Sequence, residues 1–214
     1  MAEQAIRFAA NLRLAGKWAM PDPCRGVIVF SHPHPLYGGN KDNNVVRLGC
    51  HALNALGWAT LRYDFRGAGQ STGEHDGGVG EQDDLLQAIL EARQRGAAAL
   101  PLFLVGYSFG SYVTWAALDR VENVAGVALI SPPFGFAEIA YAPRPTLTFP
   151  VLAIAGERDD FCPATMFRDA APKLAPQIAV EVVPGVDHFW MGREKELAGK
   201  LGEWLREKSP IQTA

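Results

Sequence analysis

Leu104-Val105-Gly106-Tyr107-Ser108-Phe109-Gly110-Ser111 reads Gly-x-Ser-x-Gly. An apolar run from Leu100 to Val105 precedes it, and a helix-like run from Ser111 to Leu118 follows. Strand, sharp turn and helix, in that order, is the setting in which such a serine becomes a nucleophile. A serine at the tip of that turn takes a strained backbone conformation with φ > 0. Side chains two residues before and after it would collide, so glycine stands at Gly106 and Gly110. The turn lifts the Ser108 hydroxyl clear of the sheet, and the next helix aims its first N–H groups at the same point.

Working outward, the chain alternates strands and helices. Ile6 to Met20 alternates roughly and contains Ala15-Gly16-Lys17, which suits an N-terminal antiparallel hairpin. Gly26 to Phe30 is a short apolar run of the kind buried on both faces of a sheet. It empties into Ser31-His32-Pro33-His34-Pro35-Leu36-Tyr37-Gly38-Gly39-Asn40, which excludes regular structure. Asp42 or Asn43 then caps a helix reaching about Leu56. Trp58 to Tyr63 reads as a strand, and Asp64 to Gly80 as a long glycine-rich loop. Glu81 to Arg95 is an amphipathic helix with Leu85, Leu86, Ile89 and Leu90 on its apolar face. Val124–Ile130, Pro150–Ala155 and Ala179–Val183 are further strands. Glu194 to Lys208 closes the chain as a helix with Leu197, Leu201, Trp204 and Leu205 inward, and Ser209 to Ala214 reads as a frayed tail.

This alternation predicts an α/β fold with a mostly parallel central sheet and helices on both faces. The 214 residues, 48% hydrophobic and 20% charged, suit one domain with a sizeable core. In such sheets the site lies beyond the carboxyl ends of the strands. A net charge of −3 argues against a nucleic-acid or anionic-membrane partner. No apolar run approaches the ~18–20 residues of a membrane span. The start, Met1 to Arg7, lacks a basic segment followed by an apolar core, so no signal peptide is expected. Cys24, Cys50 and Cys162 are scattered and odd in number, as suits a reducing cytoplasm.

A serine nucleophile needs a base, and the base needs a group to orient it. Of the five histidines, His188 follows the last strand and is the best base. His51 lies within a helix, and His75 among glycines and acids reads as solvated. After the Pro150–Ala155 strand, Asp159 at the loop tip is the favoured acid and Asp160 the fallback. Asp187 adjoins His188, and adjacent residues seldom orient each other's rings. The oxyanion of an acyl transfer needs two backbone N–H donors. Phe109 supplies one. Pro33 and Pro35 have no N–H, so His34 is the only donor between them. Its imidazole is open to lining the pocket or packing. Tyr37, Phe134 and Trp190 are candidates for a substrate pocket, with Phe109, Phe136 and Phe189 in similar loops, and a core role is open to each.

The order Ser108, Asp159, His188, with Ser31-His32-Pro33-His34-Pro35, Gly38-Gly39 and Asp64-x-Arg66-Gly67-x-Gly69-x-Ser71, resembles the α/β-hydrolases along nearly the whole chain. The closer likeness is to small, cap-less bacterial hydrolases related to dienelactone hydrolase. That enzyme uses a cysteine where Ser108 stands, so its substrate is not carried over. Asp64, Arg66 and Ser71 match a family loop motif and read as loop bracing. Asn40, Asp42 and Asn43 read as turn and cap residues. Fewer than twenty residues separate Ile130 from Pro150, too few for the lid domain that larger relatives carry there. The resemblance implies a carboxylesterase acting on small or short-chain esters, without metal or cofactor. Thioesters, lactones or small amides would use the same machinery. A lidless surface leaves room for a homodimer. Two other readings stay in view: a metal-dependent hydrolase built on His32 and His34 with Asp159 and His188, and a non-catalytic binding protein.

Overall fold

The computed structural model describes residues 3–136 and 139–209, so most of the expected carboxy-terminal tail lies outside the described residues. An eight-stranded sheet has the order β1-β2-β4-β3-β5-β6-β7-β8, formed by Gln4–Phe8, Leu14–Ala19, Val27–Ser31, Ala59–Tyr63, Leu102–Tyr107, Val124–Ile130, Val151–Arg158 and Ile178–Asp187 in chain order. β1 pairs with β2, and β2 with β4, antiparallel, and every other pairing is parallel. The hairpin turn falls between Phe8 and Leu14. Ala15-Gly16-Lys17 instead lies paired within β2.

The helices are α1 (Asn44–Ala55), α2 (Gly80–Ala92), α3 (Phe109–Ala116), α4 (Ala164–Ala170) and α5 (Glu194–Lys208). Strand residues alternate between the two faces, so each strand feeds two cores. Val27 and Val29 of β3, with Leu102 and Leu104 of β5, pack with Leu85, Ile89 and Val113 of α2 and α3. Ile28, Phe30, Phe103 and Val105 pack on the other face with Val46, Leu53, Leu201 and Trp204 of α1 and α5. Truncating a fully buried leucine such as Leu53 to alanine would cost about 2–5 kcal/mol.

Most element boundaries fall close to those expected, and the exceptions have physical causes. Asn43 caps α1, its side chain accepting from the Val45 N–H at 3.0 Å. Leu90 is exposed, and α2 turns Glu81, Asp84, Leu85, Ala88, Ile89 and Ala92 inward. Leu85, Ala88, Ile89 and Ala92 form the apolar part of that face, and the partnered carboxylates of Glu81 and Asp84 are buried beside them. Pro35–Tyr37 forms one 3-10 turn inside the loop expected to be irregular. α4 is unforeseen, because its seven residues bury only Phe167 and carry no side-chain cap. Between β6 and β7 the described residues form no helix or strand, so no lid covers the sheet end.

Strand order reverses between β3 and β5. The chain steps from β3 to β4 on one side, then returns to lay β5, β6, β7 and β8 on the other. The loops leaving β3 and β5 therefore diverge, opening a crevice at the carboxyl ends of adjacent strands. Ser108 leaves β5 at that crevice, and the His32–His34 loop leaves β3.

Candidate active site

Ser108 adopts φ 52° and ψ −121° between β5 and α3. The turn is compact enough that a Cβ on Gly106 would lie 2.3 Å from the Gly110 carbonyl oxygen. One on Gly110 would lie 2.4 Å from that of Ser31. Only glycine allows β3, β5 and α3 to meet this closely. The Ser108 N–H is tied to the Ile130 carbonyl at 2.9 Å, which fixes the turn against β6.

Three sequence-expected residues from three loops come together. The Ser108 Oγ lies 3.0 Å from His188 Nε2. His188 Nδ1 lies 2.9 Å from both carboxylate oxygens of Asp159. All three side chains are buried, Asp159 almost completely. Asp159 Oδ1 also accepts from the N–H groups of Phe161 and Cys162, each at 3.0 Å. That clamp fixes the carboxylate's orientation. The Tyr107 hydroxyl donates to the His188 carbonyl at 2.9 Å, holding the histidine loop down on β5. Asp160 is exposed. Asp187 Oδ1 accepts from the Phe189 and Trp190 N–H groups at 3.0 and 2.9 Å, so it serves the turn rather than the imidazole.

The loop after β3 is held just as firmly. His32 is fully buried. Its Nδ1 lies 2.6 Å from the Pro33 carbonyl and its Nε2 accepts from the Phe65 N–H at 2.9 Å. Both ring nitrogens are engaged by backbone, which fixes the neutral tautomer carrying its proton on Nδ1. Burial pushes the His32 pKa down to about 4, against the opposing pull of the Pro33 carbonyl and the Asp64 carboxylate. With both nitrogens engaged, His32 has no lone pair for a metal. Among the described residues no group of three or more His, Cys, Asp or Glu is placed to hold one.

Asp64, Arg66 and Ser71 brace this region. Asp64 accepts from the Lys41 N–H and Nζ, both at 2.9 Å, and from the Gln70 N–H at 3.0 Å. Ser71 Oγ donates to the Asp64 carbonyl at 2.7 Å. Arg66 forms a fork with Asp84, its Nη2 2.8 Å from Oδ1.

The His34 ring lies 4.7 Å, centroid to centroid, from Phe109, 4.7 Å from His75 and 4.8 Å from Tyr37. Its Nδ1 accepts from the Leu36 N–H at 3.2 Å. Burial, and then the neighbouring His75, lower the His34 pKa. His75 is not solvated as expected. It meets Phe109 edge-on at 5.4 Å, and its Nδ1 lies 2.7 Å from Glu81 Oε1. Glu81 is fully buried and also gathers the Asp76 and Gly78 N–H groups at 2.9 and 2.8 Å. It thereby folds the glycine loop over Phe109. His51 sits half-exposed on α1, 3.1 Å from Glu3.

One of the substrate-pocket candidates is corrected. Trp190 is fully buried, and its indole N–H donates to Ser131 Oγ at 3.0 Å, so it packs rather than lining the crevice. Phe134 is half-buried against Tyr141 and Phe167. Tyr37 is 84% exposed beside the His34 ring. Phe161 takes a place that no sequence signal marks, its ring centroid 4.4 Å from that of His188. Its only clue is that it stands two residues beyond Asp159. Clefts of about 450 and 580 Å³ lie elsewhere, around Arg144 and Asn11 respectively, and none of Ser108, Asp159 and His188 lines them.

The profile of the family described as serine aminopeptidase, S33, matches residues 22–144, more than half of the chain. The protein belongs to that family and so to the α/β-hydrolase superfamily. The chain is similar to an α/β serine hydrolase homologue from Coxiella burnetii, 29% identical, with a TM-score of 0.83 over 95% of this chain and 97% of that one. It is similar also to a member of the α/β serine hydrolases without a lid from Xanthomonas campestris, 28% identical. There the TM-score is 0.86 over 98% of this chain and 96% of that one. An uncharacterized protein of Rickettsia prowazekii (strain Madrid E) is 29% identical over 205 residues, 90% of this chain and 84% of its own length. The chain is a hydrolase with this lidless architecture. Among the described residues no helix is long and apolar enough to cross a membrane.

Proposed function

We propose that this hydrolase cleaves carboxylic esters through an acyl-enzyme, with Ser108 as nucleophile, His188 as base and Asp159 as its orienting acid. The observation that carries the reading is the unbroken chain of contacts from Ser108 Oγ through both His188 nitrogens to Asp159. Asp159 holds the imidazole with its proton on Nδ1, which leaves the Nε2 lone pair facing the hydroxyl. As Oγ attacks the ester carbonyl, His188 takes its proton, and the imidazolium is stabilised by the carboxylate. The same proton then goes to the departing alcohol. Water repeats the sequence on the acyl-enzyme and frees the acid.

The tetrahedral oxyanion is held by the backbone N–H groups of Phe109 and His34. Phe109 opens α3, where its N–H has no acceptor within the helix. The contact of the His34 ring with Phe109, tilted at 4.7 Å between centroids, supports placing the two residues side by side. Leu36 and Tyr37, with Phe136, Phe161 and Phe189, leave apolar surface at the ends of β3, β6, β7 and β8, which suits an uncharged ester. Thioesters, lactones and small amides are served by the same groups. The reading is tested by hydrolysis of short-chain nitrophenyl esters by the native protein and by Ser108→Ala. Turnover by the first and not the second supports it. Equal rates would defeat it.

A further inference from the structure

Where the substrate's apolar part lies follows from where the proton must go. In the acyl transfer proposed above, His188 Nε2 protonates the departing oxygen, which therefore sits within hydrogen-bond reach of the imidazole. The carbon attached to that oxygen lies against whatever covers the imidazole. Phe161 does so, at 4.4 Å between centroids. Phe136 stacks on Phe161 at 5.8 Å and 13°. Phe189 meets Phe161 edge-on at 5.9 Å and His188 at 5.6 Å. Rings from the loops after β6, β7 and β8 thus form one shelf that begins at His188. Phe136, Phe161 and Phe189 remain 38%, 37% and 53% exposed.

The backbone holds this shelf in place. Asp159 Oδ1 accepts the Phe161 N–H at 3.0 Å, so the acid facing His188 also anchors the ring above it. The Phe161 carbonyl accepts from the Gly135 N–H at 3.3 Å. A Cβ on Gly135 would lie 2.6 Å from that carbonyl oxygen, so glycine allows the two loops to close and Phe136 to stack. Aromatic faces left in water gain when a flat apolar group covers them.

We infer that Phe161, Phe136 and Phe189 form the leaving-group subsite and that the substrates are esters of bulky apolar alcohols, aryl-bearing ones above all. The inference rests on the serine-hydrolase reading. In the step concerned, the bond from Ser108 Oγ to the acyl carbon forms. The bond from acyl carbon to alkoxy oxygen breaks, its electron pair stays on that oxygen, and the His188 proton neutralises it. The alcohol departs across the shelf.

The test compares kcat/KM for methyl, benzyl and naphthylmethyl acetates, which share an acyl group and have alcohols of similar acidity. The benzyl ester is expected to exceed the methyl ester by roughly tenfold or more, with the naphthylmethyl ester higher still. Phe161→Ala lowers the benzyl-to-methyl ratio by roughly tenfold, and Phe161→Tyr restores it. Phe189→Ala, at a more exposed position, lowers it severalfold and guards against a folding failure at Phe161. The ratio of methyl phenylacetate to methyl acetate, which varies the acyl group, stays as in the native protein. A native benzyl-to-methyl ratio near one, or an equal response of the acyl series, overturns the inference while the hydrolase reading stands. A folded native protein that neither turns over any of these esters nor reacts with a fluorophosphonate overturns both.

Discussion

His32 and His188 occupy equivalent places in two loops, each the first residue beyond a strand, β3 and β8 respectively, and each buried. Their partners differ in kind. His32 is bonded on both nitrogens by backbone, the Pro33 carbonyl and the Phe65 N–H, neither of which titrates near neutral pH. His188 faces two side chains, a carboxylate on Nδ1 and a hydroxyl on Nε2. One ring therefore ties the β3 and β4 loops together, and the other, in the mechanism we propose, moves a proton. Burial alone does not separate architecture from chemistry. The partner of the second nitrogen does.

Replacing each residue in turn should pull the two roles apart. His188→Gln is expected to lower kcat/KM by at least ~10⁴-fold with little change in denaturation midpoint, since active-site groups contribute little to folding. A loss of stability instead would make the two histidines alike and break the comparison. Asp159→Asn should cost about 10⁴-fold in kcat by presenting the wrong imidazole tautomer. Asp160→Asn and Asp187→Asn should retain activity, because the first is exposed and the second keeps an acceptor for its turn. Steady-state kinetics on the three variants identify the acid.

A smaller effect separates side chain from backbone at His34. Its φ of −56° is one that proline adopts, so His34→Pro removes the N–H without demanding a new φ. That variant should lose about 10²–10³-fold in kcat, as for one oxyanion donor. His34→Ala keeps the N–H and should lose far less. Equal and severe losses in two folded variants would remove the backbone role.

The smallest expected effect lies in stability. The His32 pKa, about 4 in the folded protein against 6.5 ordinarily, means the unfolded chain takes up a proton first as pH falls. The native state is thus favoured fully above pH 6.5 and loses up to about 3 kcal/mol as pH drops toward 4. His32→Gln should be less stable at neutral pH by about 1–3 kcal/mol, through its disturbed backbone partners. It should also show a shallower acid slope. Urea titrations of both proteins at pH 7.5 and 4.5 measure the difference, and parallel slopes would show that His32 is not the titrating group.

The catalytic candidates were legible because local rules fix them. Gly106 and Gly110 mark a turn that tolerates no side chain, Gly-x-x-Asp after a strand points to Asp159, and the loop between the last strand and the closing helix points to His188. Helix α5 was legible to its ends because one apolar stripe, Leu197, Leu201, Trp204 and Leu205, runs its length. What stayed hidden depends on contacts between distant parts of the chain. Trp190 resembles a pocket residue until its indole is seen against Ser131, fifty-nine positions away. Leu90 reads as inward, but the face that is buried carries Asp84, held by Arg66. His75 looks solvated until Glu81 and Phe109 close around it. The Phe161 shelf escapes notice because its meaning depends on stacking across three loops.

The central claim, that the β5 elbow carries an activated serine, is tested most directly by intact-mass detection of a fluorophosphonate adduct on the native protein and on Ser108→Ala. One adduct on the native chain and none on the variant is the result this geometry requires. No adduct on a folded native protein, or the same adduct on both proteins, would contradict it.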